Sequence, residues 1–373
     1  MKRNSIGGLL LGLLALLFID SNLHAQFYRS EKYDAYLRNS PSIIKILKPL
    51  SQALCKSTVE IEQDGKVICL GTIVSSDGYI ITKASELRKE LKVRLADKRS
   101  LPAKVVGEEY DFDIALLKVD AQNLQPVTFD EGKNLDVGNW LISTTSISSD
   151  NLAVGVLSVK SRKMTMNDYP PPKRTGYLGI LFSPMSKEGG VAINEVFPKS
   201  AADKAGLKKG DVIYAIGGRQ ITGEKSLLMA LLHYRIGEEI PVEFLRDDEE
   251  MSVVVTLAPK TNEMKSNDDR ALFQNGFHKD LSNVNIGFPV AFQHDTNLRA
   301  KQIGGPIINL AGKVVGINIS SAGRVDSYAI PSEEILKLLP KLKSGKLLPQ
   351  KYALKDSKKV KKLKEDRPVS AQK

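Results

Sequence analysis

Gln302-Ile303-Gly304-Gly305-Pro306 is the stretch on which the reading of this chain turns. Two glycines and a proline make a tight loop, and the β-type run Ile307-Ile308 follows it. The residue at the head of the loop is isoleucine. A branched hydrocarbon has no lone pair to attack a carbonyl and no proton to hand to a base. Ile303 cannot serve as a nucleophile.

Around this loop the chain is 373 residues long, which leaves room for two or three domains, each with its own core. At 42% hydrophobic and 26% charged it has the balance of an ordinary globular protein. Its 28 glycines and 17 prolines suit a turn-rich β protein better than a helical bundle. Short strand-like runs recur at 58–62, 67–74, 79–82, 93–95, 103–106, 114–119, 140–143 and 154–159, with turns at Asp64-Gly65 and Asp77-Gly78. Such regular spacing argues for a sandwich or a barrel. Before them, Ile43, Ile44, Ile46, Leu47, Leu50 and Leu54 are expected to share the apolar face of a short helix. A closing helix is expected to start with Ser332 as N-cap, with Glu333 and Glu334 in its first turn.

Lys2 and Arg3, the apolar run Gly7–Ile19 and the polar stretch Asp20–Ala25 have the order of a secretory leader, expected to be cleaved after Ala25. The apolar run is shorter than the roughly 20 residues that span a bilayer. The mature chain is therefore expected in the periplasm or outside the cell. Export raises the question of a disulfide between Cys55 and Cys69. A two-residue turn at Asp64-Gly65 sets Cys69 opposite Glu60 and Cys55 opposite Val74, which favours two buried thiols over a bridge.

The net charge is +11, and the run Lys351–Lys373 holds nine Lys/Arg against Asp356, Glu365 and Asp366. That run cannot bury a core and is expected to be a disordered, solubilising tail, with adhesion to an anionic surface as the functional alternative. It carries no base-reading motif, so specific nucleic-acid binding is not expected. No His/Cys cluster has ligand spacing, and neither a metal nor a cofactor is expected.

Three stretches resemble, in order, the protease domain of the HtrA/DegP family of chymotrypsin-like serine proteases. Gly71–Ser85 (GTIVSSDGYIITKAS) is similar to the family's G-x-I-x-x-x-D-G-Y-I-x-T-N-x-H, which aligns Ser85 with the general-base histidine. Asp111–Val119 (DFDIALLKV) is similar to T-D-L-A-V-L-K-I, which aligns Asp113 with the carboxylate that orients the histidine. Ile303–Asn318 (IGGPIINLAGKVVGIN) is similar to S-G-G-P-L-V-N-x-x-G-x-V-I-G-I-N, and Tyr328–Pro331 to F-A-I-P. By this alignment Ile303 stands at the serine and Lys301 at the glycine that supplies an oxyanion-hole N–H. Serine has no nitrogen that titrates near neutral pH, and lysine does not adopt cheaply the backbone conformation of glycine. The resemblance implies a protease fold with a degenerate triad and no intact catalytic site. His294-Asp295 is the more suggestive of the remaining His pairs, with a structural role favoured for His294, while His233 falls on a helix and His278 in a polar linker.

The unit 176–259 resembles a PDZ domain of the HtrA type. Its Gly176–Ile180 matches the carboxylate-binding loop, and Ser200–Ile213 (SAADKAGLKKGDVI) matches S-P-A-x-x-A-G-L-x-x-G-D-x-I. The implied mechanism is addition of a partner's C-terminal strand beside Ile180. Tyr177, Leu178, Gly179 and Ile180 would hold the terminus, and Leu228 and Leu231 would line the side-chain pocket unless they pack the domain's own core.

The expected organisation is a leader at 1–25, an N-terminal segment with a short helix at 26–56, and a trypsin-like domain in two parts, 57–161 and 288–345. The PDZ unit at 176–259 interrupts it behind the proline-rich spacer 162–175, and a basic tail occupies 346–373. The fold class is mostly β: a trypsin-like double β-barrel with an inserted α+β PDZ domain. The function expected from this is an exported pseudoprotease that binds C-terminal or unfolded peptide segments as adaptor, scaffold or holdase. An active serine endopeptidase, or a regulatory subunit of an active relative, is the alternative. The family's habit of trimerising makes Phe27, Tyr28, Tyr33 and Tyr36 candidates for self-association.

Overall fold

The short apolar runs close into two barrels, and a third sheet interrupts the second of them in sequence. The structure, a computed structural model, describes residues 40–88, 90–130, 135–148, 152–164, 176–183, 190–259, 281–282, 284–322, 326–345 and 347. The leader, the aromatic stretch Phe27–Tyr36, most of the spacer, His278 and the basic tail lie outside these residues.

Helix α1 (Pro41–Lys56) opens with Ser40, whose hydroxyl accepts from the Ile43 N–H at 3.3 Å. It buries Leu47, Ser51, Leu54 and Cys55. Ile46 does not share that face as expected. It is 72% exposed, because it sits about 100° around the helix from Leu47.

Strands β1 (Thr58–Gln63), β2 (Lys66–Ile73), β3 (Tyr79–Lys83), β4 (Leu91–Arg94), β5 (Ser100–Glu109) and β6 (Ile114–Val119) form the first closed barrel, in the order β1-β2-β3-β6-β5-β4. Closure leaves no edge, and the interior fills with Val59, Ile61, Ile80, Leu117 and their neighbours. A bulge between Ile61 and Glu62 shifts the β1–β2 register by one residue, so Cys69 faces Ile61 and not Glu60 as expected. Cys55 is on α1 rather than in the ladder, so it does not face Val74. Both cysteines are buried and neither is in a disulfide.

Two further strands, β7 (Trp140–Thr144) and β8 (Leu152–Arg162), begin the second barrel. The chain then leaves it to build a separate sheet from β9 (Ile180–Ser183), β10 (Val191–Val196), β11 (Val212–Ile216), β12 (Arg219–Gln220), β13 (Glu239–Arg246) and β14 (Glu249–Thr256). That sheet runs β14-β13-β11-β10-β9, with β12 on β11, and carries helices α2 (Ala201–Lys204) and α3 (Glu224–Leu232). It has its own core, including Leu178, Ile193, Ile213, Leu227 and Phe244. The chain returns as β15 (Ala291–His294), β16 (Pro306–Ile308), β17 (Val314–Ser321) and β18 (Ser327–Pro331), which close the second barrel as β15-β18-β17-β16-β7-β8.

Helix α4 (Ser332–Lys343) buries Ile335, Leu338 and Leu342. Its N-cap is Pro331 and not Ser332. The Ser332 hydroxyl, itself buried, instead donates to the Asp130 carbonyl.

Candidate functional site

Asp113 sits at the tight turn between β5 and β6 with φ +54° and is completely buried. Its backbone carbonyl accepts from the Ala84 N–H at 2.8 Å, which ties this turn to the end of β3. The carboxylate faces the same place: Oδ1 accepts the Ser85 N–H at 2.7 Å and Oδ2 accepts the Ser85 hydroxyl at 2.8 Å. Lys83, the last residue of β3, forms an ion pair with Oδ2 and is also fully enclosed. Its Nζ donates at 2.9 Å to the carbonyls of both Val284 and Ile319. All three ammonium donors are thus used, and the charge is cancelled by the carboxylate, which is how a lysine tolerates the interior.

Ser85, aligned with the general base, is 2% exposed, and its hydroxyl is committed to Asp113. Ile303, aligned with the nucleophile, is fully buried and packs with Ala153 and Leu298. Its N–H turns back to the Ala300 carbonyl at 3.3 Å, while its carbonyl accepts the Leu70 N–H at 2.8 Å. Lys301, aligned with the oxyanion glycine, lies exposed in the 3-10 turn Ala300–Gln302. An oxyanion hole needs N–H groups that converge on one external point, and this turn spends the Ile303 N–H internally. Gly304 follows with φ +95°, where a Cβ would stand 2.0 Å from the Leu70 carbonyl, so only glycine closes the loop against β2.

Among the described residues, Cys69, His294 and His233 do not assemble a second site. Burial pushes the Cys69 thiol up to about 12, leaving it protonated against Thr82 Oγ1 at 3.3 Å. His294 is buried in β15 beside Phe292, and burial drives it down to about 3. His233 caps the C-terminus of α3. It points Nδ1 at the Met229 carbonyl at 2.9 Å and Nε2 at Asp113 Oδ1 at 3.8 Å. Nε2 therefore faces the Asp113 carboxylate.

Sequence reasoning missed both Lys83 and His233 as neighbours of Asp113. The signal for Lys83 was present: a lysine stands where the family pattern T-N-x-H has asparagine, just past the run Tyr79–Thr82. For His233 no local signal existed, since it arrives from another sheet.

In the inserted unit, β9 is an edge strand, and α3 lies in the same domain. Tyr177 pairs with Ala258 by reciprocal backbone bonds of 2.8 and 3.2 Å. The Leu178 side chain packs into the core, and its carbonyl accepts the Ala202 N–H at 2.8 Å. Gly179 has φ +80°, and its carbonyl accepts the Phe197 N–H at 3.0 Å. Ile180 begins β9 and is half-buried, as is Leu228, whereas Leu231 is 8% exposed and belongs to the domain core.

Comparison with known proteins agrees with this architecture. Residues 69–173 match the trypsin-like peptidase domain, and residues 176–257 match the PDZ domain. A probable periplasmic serine endoprotease DegP-like from Marinomonas sp. is 24% identical, with 78% of each chain covered. A protein of the same description from Halomonas elongata is 25% identical over 50% of this chain and 55% of its own length. The chain spans about half the length of several of the relatives it matches. A solved structure described as HtrA-type protease AlgW with decapeptide aligns with 57% of this chain and 99% of its own, at 14% identity and a TM-score of 0.27.

Proposed function

We propose, from the premise that this chain is a member of the HtrA family of trypsin-like proteins with a PDZ domain, that it is an exported pseudoprotease that binds peptides in protein quality control. The observation that carries the reading is the state of Asp113. Its carboxylate is occupied by Lys83 and Ser85, and the residue aligned with the nucleophile is a buried isoleucine. A triad needs a neutral imidazole hydrogen-bonded between carboxylate and nucleophile, and here the carboxylate is taken up by an ammonium and a serine hydroxyl.

Peptide capture is by strand addition. β9 offers its edge to a C-terminal strand, the backbone N–H groups of Leu178, Gly179 and Ile180 receive its carboxylate, and the half-buried Leu228 borders the terminal side chain. Export rests on the leader-like residues 1–25 and on relatives described as periplasmic. Self-association through Phe27, Tyr28, Tyr33 and Tyr36, and contact of the basic tail with an anionic surface, belong to the same proposal.

A second reading is favoured by the relatives' descriptions as serine endoproteases: an active peptidase, or a subunit that regulates one. A fluorophosphonate probe and unfolded casein separate the two. The pseudoprotease neither labels nor cleaves. Labelling removed by replacing a single serine decides for the enzyme, and co-purification with a catalytic relative decides for the regulatory subunit.

A further inference from the structure

The interior of the second barrel is layered. Leu141 on β7, Leu157 on β8, Phe292 on β15 and Ile307 on β16 meet in one apolar layer. Two residues along the same strands, the positions that share their face are of another kind: Ser143, Gly155 and His294. The His294 ring stays 6.0 Å from that of Phe292. Two residues further along β8, Ala153 joins Leu298 and Ile303 in a second apolar cluster. A polar layer is thus held between two apolar ones.

Asn318 and Thr296 complete that layer. The Asn318 amide donates to Ser143 Oγ at 3.1 Å and to the Gly305 carbonyl at 3.2 Å. Its own backbone accepts the Gly304 N–H at 2.8 Å and donates to the Gly305 carbonyl at 3.0 Å. Thr296 lies over Gly155, where a Cβ would stand 2.4 Å from Oγ1. His294, Thr296, Asn318 and Ser143 are all fully buried.

The hydrogen bonds of the layer do not close. Among the described residues, both ring nitrogens of His294, Oγ1 of Thr296 and Oδ1 of Asn318 have no partner. The Asn318 side chain acts on the His294 ring, yet the two do not meet hydrogen-bond geometry. Burial keeps the imidazole neutral, so it offers one N–H and one lone pair. The Thr296 hydroxyl can donate, and Asn318 Oδ1 can only accept. A cation would meet unwanted donors here, and an anion unwanted acceptors. A neutral molecule that both donates and accepts fits.

We infer that this layer is an internal hydration site, with ordered water held among His294, Thr296 and Asn318 behind Ile303. Water supplies the missing partners, and leaving those atoms dry is costly. The site also bears on the Ile303 loop, because the same Asn318 fixes Gly304 and Gly305. The inference goes beyond peptide binding and does not depend on it.

The test uses the full chain. Thr296→Val keeps the shape of the side chain and removes its hydroxyl. In a hydrated layer this leaves water short of a partner, and the urea midpoint is expected to fall by about 0.5 M. A dry layer gives the opposite sign, since a methyl group then replaces an unpaired hydroxyl. Magnetic relaxation dispersion of the solvent oxygen nucleus supplies the second readout, because it detects long-lived internal water. His294→Leu combined with Thr296→Val is expected to lower the dispersion amplitude below that of wild type, with near-UV circular dichroism checking that the variant is folded. A midpoint that rises or holds for Thr296→Val overturns the inference. So does an equal amplitude in wild type and the folded double variant. If the double variant does not fold, the sign of the Thr296→Val shift decides alone.

Discussion

Lys83 and Asp113 form an ion pair in which both side chains are shut off from solvent. The pair holds the two barrels together, because the lysine and the carboxylate come from the first barrel, while Val284 and Ile319, whose carbonyls take the remaining ammonium protons, lead into and belong to the second. Removing one partner leaves an uncompensated buried charge. Lys83→Met is expected to cost about 3–5 kcal/mol, whereas Lys83→Met combined with Asp113→Asn recovers a large part of that loss. Urea unfolding of the two single variants and the double gives the coupling energy. Additive losses would exclude the ion pair as the source.

The barrels were legible in the sequence because short apolar runs and turns repeat at strand spacing, and the inserted unit because its Gly206–Gly210 segment matches a specific pattern. The surroundings of Asp113 were not legible for a physical reason. Lys83 is satisfied by carbonyls 201 and 236 residues further on, and His233 reaches Asp113 from the inserted domain. The position of Cys69 was missed because one bulge at Ile61 moves every pairing beyond it, and a turn signal alone cannot reveal a bulge.

Stability at acid pH is expected to depend on His294. Burial lowers it to about 3, against weaker opposing effects of Asp295 and Asn318. The unfolded chain keeps an ordinary imidazole near ~6.5. Between these values the unfolded state holds the proton and the folded state does not. The contribution is therefore complete above about 6.5 and is lost progressively as pH falls toward 3. Urea midpoints measured from neutral pH downward should decline less steeply for His294→Gln than for wild type. Parallel curves would assign the acid loss to other groups.

Both thiols are expected to be silent in the folded protein. Cys69 is fully buried and held as a thiol well above the working pH, and Cys55 is buried on α1. Ellman's reagent at mildly alkaline pH should titrate neither in the native chain and two per chain after unfolding in guanidinium without reductant. Recovery of no thiol under those conditions would mean that the cysteines are bridged.

Restoring the three family residues is not expected to restore chemistry. Ser85→His, Lys301→Gly and Ile303→Ser together supply an imidazole, a hydroxyl and a freer oxyanion turn, yet Asp113 Oδ2 still carries the Lys83 ammonium. An imidazole at position 85 would meet a positive charge where it needs a carboxylate to fix its tautomer and stabilise its protonated form. The triple variant should therefore stay unlabelled by a fluorophosphonate probe, and adding Lys83→Asn should be required before labelling appears. The His233 ring beside Asp113 Oδ1 is the next obstacle, so a quadruple variant that still fails is expected to gain labelling with His233→Ala. Labelling of the triple variant with Lys83 in place would show that the ammonium does not block the triad, and the loss of activity would then lie in residues 85, 301 and 303 alone.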